Sequence, residues 1–351
     1  MRVVITRASG NVGTSLLEAL AGEDAVHEIV GLARRHPGRS RPKVRWAPAD
    51  ISRDRLEPLF AGADAVVHLA WLIQPSRNER RTHEVNVIGS QRVFAAAANA
   101  GVPAIVYASS IGAYAQGPND RRVDESWPTT GIPSSFYSRH KAAVERILDS
   151  FEAEHPDVRV VRLRPGLIFK GEAASEIRRL FVGPFLPSPL VRRGLIPVIP
   201  RTSGLALQAV HSRDVAQAYR LAIVNADASG AYNIAAEPVL DAGALGELLG
   251  ARPVPVPRGA LRVATDIAWR ARLQPTEPGW LDLGLGVPLM DCTRALEALG
   301  WAPRHDAAEA FMELFEGLRR GEGGDTPPLA RRTGGPARLR EVLTGIGGSD
   351  R

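Results

Sequence analysis

Short apolar runs recur through the first half of the chain, at residues 1–6, 28–33, 44–47, 65–70, 104–109 and 158–163. Runs of this length, rich in Val, Ile and Ala and free of interior proline, read as buried strands. Between them lie longer stretches, over 78–100, 135–155 and 212–225, whose apolar positions return every three to four residues and read as helix. Strands separated by helices of this length predict parallel βαβ units and an α/β fold with a doubly wound parallel sheet.

The pattern changes after Pro165. Residues 182–200 carry five prolines, with the run Leu190-Val-Arg-Arg-Gly-Leu-Ile-Pro197, which suits loops folding over a ligand. Residues 320–351 are rich in Gly, Pro and Arg and read as a flexible, loosely attached tail. The expected organisation is therefore a dinucleotide-type domain over 1–165, a smaller lobe over 166–319, and a tail over 320–351. No internal repeat is present.

Two local patterns carry chemistry. The first apolar run leads directly into Arg7-Ala-Ser-Gly10-Asn11-Val12-Gly13 and a helical stretch from Thr14. Strand, glycine-rich turn and helix in that order expose helix N-terminal N–H groups to a pyrophosphate. The second is Tyr137-Ser-Arg-His-Lys141, where a phenol and an ammonium four residues apart share one helical face. The ammonium there is expected to ease phenol ionisation. Lysine is rare, three of 44 basic residues, so a chance pairing at this spacing is improbable.

Further segments follow in a familiar order: Asp50-Ile51, His68-Leu69-Ala70, Val85-Asn86-Val-Ile-Gly89, Tyr107-Ala-Ser-Ser110-Ile-Gly-Ala-Tyr114, Arg164-Pro165-Gly-Leu-Ile168-Phe, Val210-His-Ser-Arg-Asp214 and Leu299-Gly-Trp-Ala-Pro303. With the glycine-rich turn and the Tyr/Lys pair, they resemble the extended short-chain dehydrogenases/reductases of the NAD-dependent epimerase/dehydratase family, over residues 1 to about 303. The resemblance implies a Rossmann sheet with an interleaved C-terminal substrate lobe. It implies Ser110, Tyr137 and Lys141 as catalytic residues, with Asn86 organising a proton-relay water. It implies a cofactor site of Thr6, Arg7, Gly10, Asn11, Val12, Gly13, Asp50, Ile51, Leu69, Ala70, Tyr137, Lys141, Pro165 and Ile168. A homodimer is also implied, through the Ala-rich helix 93–100 and the helix carrying Tyr137, although those alanines fit equally well under one subunit's sheet.

Charge refines the cofactor. The second run ends Ala33-Arg34-Arg35, where an acidic residue would grip the ribose of NAD. Ala33 removes that carboxylate, and Arg34 and Arg35 suit a 2′-phosphate, which favours NADP over NAD. Arg7 departs from the family's first glycine. Either its guanidinium serves a phosphate, the turn re-forms in an ordinary backbone region, or cofactor binding is impaired. His211 and Asp214 read as a helix start with Ser212 and Asp214 at the cap and first turn; no metal site is expected.

The formal charge of +6 is spread among acids along the chain, which argues against nucleic acid as a partner. One cysteine, Cys292, and no signal-type or 18-residue apolar segment point to a soluble protein of the cytoplasm, not of a membrane. Ile111-Gly112 follow Ser110 where the family's dehydratases carry an acidic pair, and Pro165-Gly166 stand where its epimerases commonly place asparagine. Pro184, Phe185, Leu186, Leu190, Leu195 and Ile196 suit an apolar substrate lining; Lys170, Arg178, Arg179, Arg192 and Arg193 suit an anionic substrate, or surface charge. The expectation is an NADP(H)-preferring oxidoreductase acting on the carbonyl or alcohol of a small, largely apolar metabolite. The alternatives are a redox-neutral nucleotide-sugar epimerase with retained NAD and a non-catalytic dinucleotide-sensing or partner-binding protein.

Overall fold

All six apolar runs become strands. In the computed structural model, which describes residues 1–38, 40–74, 77–118, 120–182 and 192–331, they are β1 (Arg2–Thr6), β2 (Glu28–Ala33), β3 (Val44–Pro48), β4 (Ala65–His68), β5 (Ala104–Ala108) and β6 (Arg159–Pro165). A seventh, β7 (Gly230–Ile234), completes one parallel sheet of order β7-β6-β5-β4-β1-β2-β3. The order reverses between β1 and β4, the crevice where doubly wound sheets bind ligands. Because β7 comes from beyond residue 165, the Rossmann unit is not contained in the first 165 residues and the two lobes interleave.

Alternation within each strand sorts side chains to two faces. Val3, Ile5, Val67 and Val106 pack on one side with Leu16, Leu17 and Leu20 of α1 (Asn11–Ala21). Val4, Val30, Val66 and Ile105 pack on the other with Phe94 and Ala97 of α2 (Gly89–Asn99) and Val144 and Leu148 of α3 (Phe136–Glu154). Full burial of each such aliphatic side chain is worth roughly 1.5–3 kcal/mol before entropy is counted. Downstream come α4 (Ala174–Ile177), α5 (Ser212–Val224), α6 (Arg258–Arg270), α7 (Pro278–Gly284) and α8 (Ala307–Arg320). Val215 and Tyr219 of α5 join the α1 side of the sheet, while Ile199, Leu240, Leu245 and Phe315 form a separate small core for the second lobe.

Three expectations are corrected. The helix over 78–100 is interrupted by a π-helical turn, Glu84–Ile88, so its three segments do not share one periodicity. Lys170 is no surface charge: it is buried, and its ammonium donates to Thr14 Oγ1 (2.8 Å) and Ser15 Oγ (3.2 Å) of α1. Residues 320–331 are not a loose tail. Arg320 ends α8, Glu322 O accepts from Ser175 Oγ (2.7 Å), Thr326 Oγ1 donates to Ser9 O (2.7 Å) and Leu329 is buried. The remainder of the expected tail lies outside the described residues. Among the described residues, no helix is long and apolar enough to cross a membrane.

One buried carboxylate joins α3 to the sheet. Glu145 accepts from Arg164 Nε (3.0 Å) and Nη2 (2.9 Å), from Arg162 Nη1 (2.9 Å) and from Ser109 Oγ, and these hydrogen bonds hold its carboxyl down at about 2 despite complete burial. Glu145→Ala leaves two buried guanidinium groups without their shared counter-charge. Urea unfolding should show a loss of about 3–5 kcal/mol; an unchanged midpoint would contradict this account.

Candidate active site

Tyr137 opens α3, started by Ser135, whose side chain accepts from Ser138 N (3.4 Å). Ser138 in turn donates to Gly112 O (2.6 Å) and accepts from Ile132 N (2.6 Å), pressing the helix start against the turn after β5. Ser110 caps that turn, its Oγ accepting from Gly112 N (3.0 Å), and that hydroxyl lies on the same side of Gly112 as the Tyr137 ring, 3.4 Å from where a Gly112 Cβ would stand. Gly112 is a site residue beyond the sequence reading: a Cβ there would stand 2.8 Å from Tyr137 Cε1, so only glycine lets the ring reach Ser110. Its signal in the sequence is a glycine two residues past the serine.

Lys141 lies one turn on, as expected, but its electrostatic role differs from expectation. Burial pushes the Tyr137 phenol up to about 12, opposed only by the neighbouring Ser110 hydroxyl, even though the residue keeps some accessible surface. Burial also drives the Lys141 ammonium well below its usual value, with Arg7 adding repulsion and Glu145 opposing it. Lys141 Nζ donates to Ala108 O (2.6 Å) and sits 3.5 Å over the centre of the Trp71 ring, against 5.8 Å from that of Tyr137. The amine is held by a carbonyl and an indole, and it does not lower the phenol.

Beneath the crevice runs a closed polar chain. Ser90 Oγ donates to Asn86 O (2.5 Å) and so accepts from His68 Nε2–H (2.9 Å); His68 Nδ1 then accepts from Thr6 Oγ1 (2.9 Å). The Thr6 oxygen accepts from Leu69 N and Ala70 N (both 3.0 Å). Thr6, Leu69 and Ala70 thus form the crevice floor by fastening β1 to the end of β4. Asn86 is a backbone clamp, its amide donating to Leu72 O (2.8 Å) and accepting from Leu72 N (2.7 Å), so its side chain is engaged where a proton-relay role was expected.

The phosphate-binding features converge at the N-terminus of α1. Gly10 is its N-cap with no side-chain cap, leaving the first-turn N–H groups of Asn11, Val12 and Gly13 for an anion. Gly13 has no alternative, since a Cβ would lie 2.6 Å from the Ala8 carbonyl. Asn11 Nδ2 reaches Ile168 O (3.4 Å), just past the end of β6 at Pro165. Asp50 closes its own turn through Ser52 (2.6 Å), and Ile51 packs against Gly89. Arg34 and Arg35 are exposed at the end of β2, with no ion pair among the described residues. These residues fit a dinucleotide: an uncapped helix start for the pyrophosphate and two guanidinium groups past β2.

Arg7 is accommodated at a cost. Its φ of 53° is left-handed, about 1–2 kcal/mol unfavourable for a residue with a Cβ. Its guanidinium donates to Trp71 O and pairs with Glu176 Oε1 of α4 at 2.7 Å, so the turn keeps the glycine-like backbone.

An aromatic wall faces Tyr137. The Trp280 ring lies 4.8 Å from it, Trp71 meets it edge-on at 5.8 Å, and Phe181 stands perpendicular to Trp280 at 5.0 Å. The indole N–H groups of Trp71 and Trp280 are buried without a hydrogen-bond partner among the described residues. Of the expected apolar lining, Leu195 is exposed, Ile196 packs in the second lobe's core, and Pro184, Phe185, Leu186 and Leu190 lie outside the described residues. His211 and Asp214 are structural, with one correction: His211, not Ser212, caps α5 through Nδ1 (3.1 Å to Arg213 N), while Asp214 accepts from His305 Nδ1 (3.0 Å). Among the described residues no cluster of His, Cys, Asp or Glu is placed to hold a metal.

The profile of the NAD dependent epimerase/dehydratase family matches residues 3–235. An uncharacterised Mycobacterium tuberculosis protein is 29% identical over 322 residues, 91% of this chain, which spans only 30% of that relative's length. The 4-hydroxy-2-methyl-3-oxo-4-farnesyl-3,4-dihydroquinoline-1-oxide ketoreductase of Stigmatella aurantiaca is 28% identical over 184 residues, 51% of this chain and 54% of that one. Among solved structures, the UDP-glucose-4-epimerase of Stenotrophomonas maltophila with NAD and formylated UDP-arabinopyranose superposes with a TM-score of 0.68 at 21% identity, covering 91% of this chain and 98% of that one.

The crevice floor has a pH signature. Burial, with Lys141 adding repulsion, holds His68 neutral down to about 3, whereas the unfolded chain takes up the proton near 6.5. The unfolded state therefore binds more protons between those values, and the His68 contribution is complete above 6.5 and lost as pH falls toward 3. Urea unfolding at pH 7 and pH 5 should show the wild type losing about 2 kcal/mol more than His68→Gln; equal losses would show that His68 is not the buried neutral group.

Proposed function

The chain belongs to the NAD dependent epimerase/dehydratase family, and on that premise we propose that it is an NADP(H)-preferring oxidoreductase acting on the carbonyl or alcohol of a small, largely apolar metabolite. The observation that carries the reading is the Ser110 hydroxyl standing beside Tyr137 across Gly112, set against the wall of Trp71, Trp280 and Phe181. A proton donor and its polarising partner stand at an aromatic surface, which suits a carbonyl on a flat or greasy molecule. The partial likeness to a ketoreductase supports the same chemistry.

The N-terminus of α1, Arg34 or Arg35 and Lys141 would hold the dinucleotide, which when bound in its reduced form would supply a hydride to the carbonyl carbon and be left oxidised. Ser110 donates a hydrogen bond to the substrate oxygen and draws electron density from the carbonyl carbon. Tyr137 O–H then gives its proton to that oxygen, so the carbonyl becomes an alcohol and the tyrosine a phenolate, re-protonated from solvent. A phenol held neutral to about 12 is ready as an acid at pH 7; the oxidative direction needs its phenolate and is handicapped until Lys141 is released from Trp71. A homodimer completes the reading, supported by the outward groove between α2 and α3 lined by Gln91, Ala95, Ala143 and Ile147. A non-catalytic dinucleotide-binding protein is the second reading, favoured by the Trp71 ring lying on Lys141.

Tyr137→Phe should lower turnover of an accepted carbonyl substrate by about 10²–10⁴-fold with its fold retained. Near-normal steady-state rates would remove the proposed acid. Replacing Arg34 and Arg35 together with alanine should weaken NADPH binding by about 1.5–3 kcal/mol and NADH binding much less. Calorimetry giving equal losses for the two would reject the NADP preference.

A further inference from the structure

We propose that Glu176 is a resident competitor for the phosphate-binding turn, holding Arg7 until a phosphate of the dinucleotide takes its place. The proposal rests on the coenzyme reading above and assigns a role to a residue that belongs to none of the motifs carrying the family resemblance. Arg7 folds back over the start of α1: a Cβ on Gly10 would lie 3.0 Å from Arg7 Nε and 3.4 Å from Cγ. A cation beside a helix N-terminus is adverse unless an anion accompanies it, because the exposed N–H groups and the helix dipole already make that end positive. Glu176 supplies the anion from the other lobe. Its side chain is 6% exposed, it meets Arg7 Nη2 at 2.7 Å, and Arg7 is its only ion-pair partner among the described residues.

A phosphate answers the same need better. It brings more charge, accepts from the guanidinium in bidentate fashion, and also accepts from the α1 N–H groups, which Glu176 does not contact. With a phosphate seated there, the carboxylate would stand within about one guanidinium width of a like charge, a repulsive contact in a partly desolvated crevice. Glu176 therefore lowers dinucleotide affinity, through its hold on Arg7 in the wild type and through its unpaired charge where Arg7 is removed. The same guanidinium reaches the segment over Lys141: Arg7 Nη1 donates to Trp71 O, and the Trp71 ring covers Lys141 at 3.5 Å, so a turn of the Arg7 side chain toward a phosphate would be felt at Trp71.

Calorimetry of NADPH and of inorganic pyrophosphate with four proteins tests this: wild type, Glu176→Gln, Arg7→Gly and the double variant. Removing the competing charge should tighten both ligands about 10-fold in Glu176→Gln, with Glu176→Ala giving the same sign. Arg7→Gly, which leaves the carboxylate unpaired beside the phosphate, should weaken binding by about 10-fold or more, and adding Glu176→Gln should restore it to near the wild-type value. Ligand-induced change in tryptophan fluorescence should be larger in the wild type than in Trp71→Phe. Unchanged or weaker binding by both Glu176 variants overturns the proposal, as does equal binding by Arg7→Gly and the double variant. Pyrophosphate binding in the expected order without dinucleotide binding would uphold the exchange and sink the coenzyme reading. Binding of neither ligand by any variant overturns both.

Discussion

A single buried acid governs where Tyr137 and Lys141 stand. Glu145 lies one turn beyond Lys141 on the helix that carries Tyr137, and it is held by Arg162 and Arg164, two residues apart on one face of β6. Arg164 also donates to the Tyr114 hydroxyl (3.0 Å), which donates to Asn233 of β7 (2.6 Å). The network therefore spans the helix that carries Tyr137, the end of β5, β6 and the seventh strand. An apolar contact between helix and sheet would tolerate sliding; charge-assisted hydrogen bonds of fixed direction do not. The depth of Tyr137 relative to Ser110 is set from below by this network and from above by Gly112.

The crevice itself is lined by groups that already satisfy one another. The floor is a neutral chain from Thr6 through His68 and Ser90 to Asn86, and the amine of Lys141 is shared between Ala108 O and an indole face. Arg7 is the exception in kind, a cation placed at a helix start by a strained backbone and matched by a carboxylate from the other lobe. Three further contacts between the lobes lie close by: Lys170 on α1, the Ser15–Ser212 hydroxyl contact (3.0 Å), and Thr326 on the carbonyl of Ser9. All of these fall on the glycine-rich turn or the first helix, so lobe position and the phosphate-binding surface are mechanically one unit.

Much of this was legible in one dimension. The six strands follow from apolar runs because a central parallel strand is buried on both faces, so its whole length must be apolar. Tyr137 and Lys141 follow from helical spacing, and the uncapped start of α1 follows from Gly10 and Gly13 in their strand-turn-helix setting. The likeness to a known family added Ser110, which spacing alone does not single out from its neighbour Ser109. The two serines diverge in the fold: Ser110 meets Tyr137, whereas Ser109 is spent on Glu145.

What stayed hidden depends on contacts between residues far apart in the chain. Arg7 and Glu176 are 169 positions apart, and Trp280 reaches Tyr137 from a helix with no local signal of function. Lys170 and residues 320–331 looked like surface and tail because composition reports what a segment prefers in isolation, not what it meets. The same limit explains the phenol. Spacing placed an ammonium near Tyr137, but the sign of the effect depends on burial and on what else holds the amine, and here burial wins. The sequence by itself determined the sheet, the turn and the Tyr/Lys face, because those obey short-range periodicity; the tertiary structure decided the charges, because desolvation and ion pairing are properties of a closed volume.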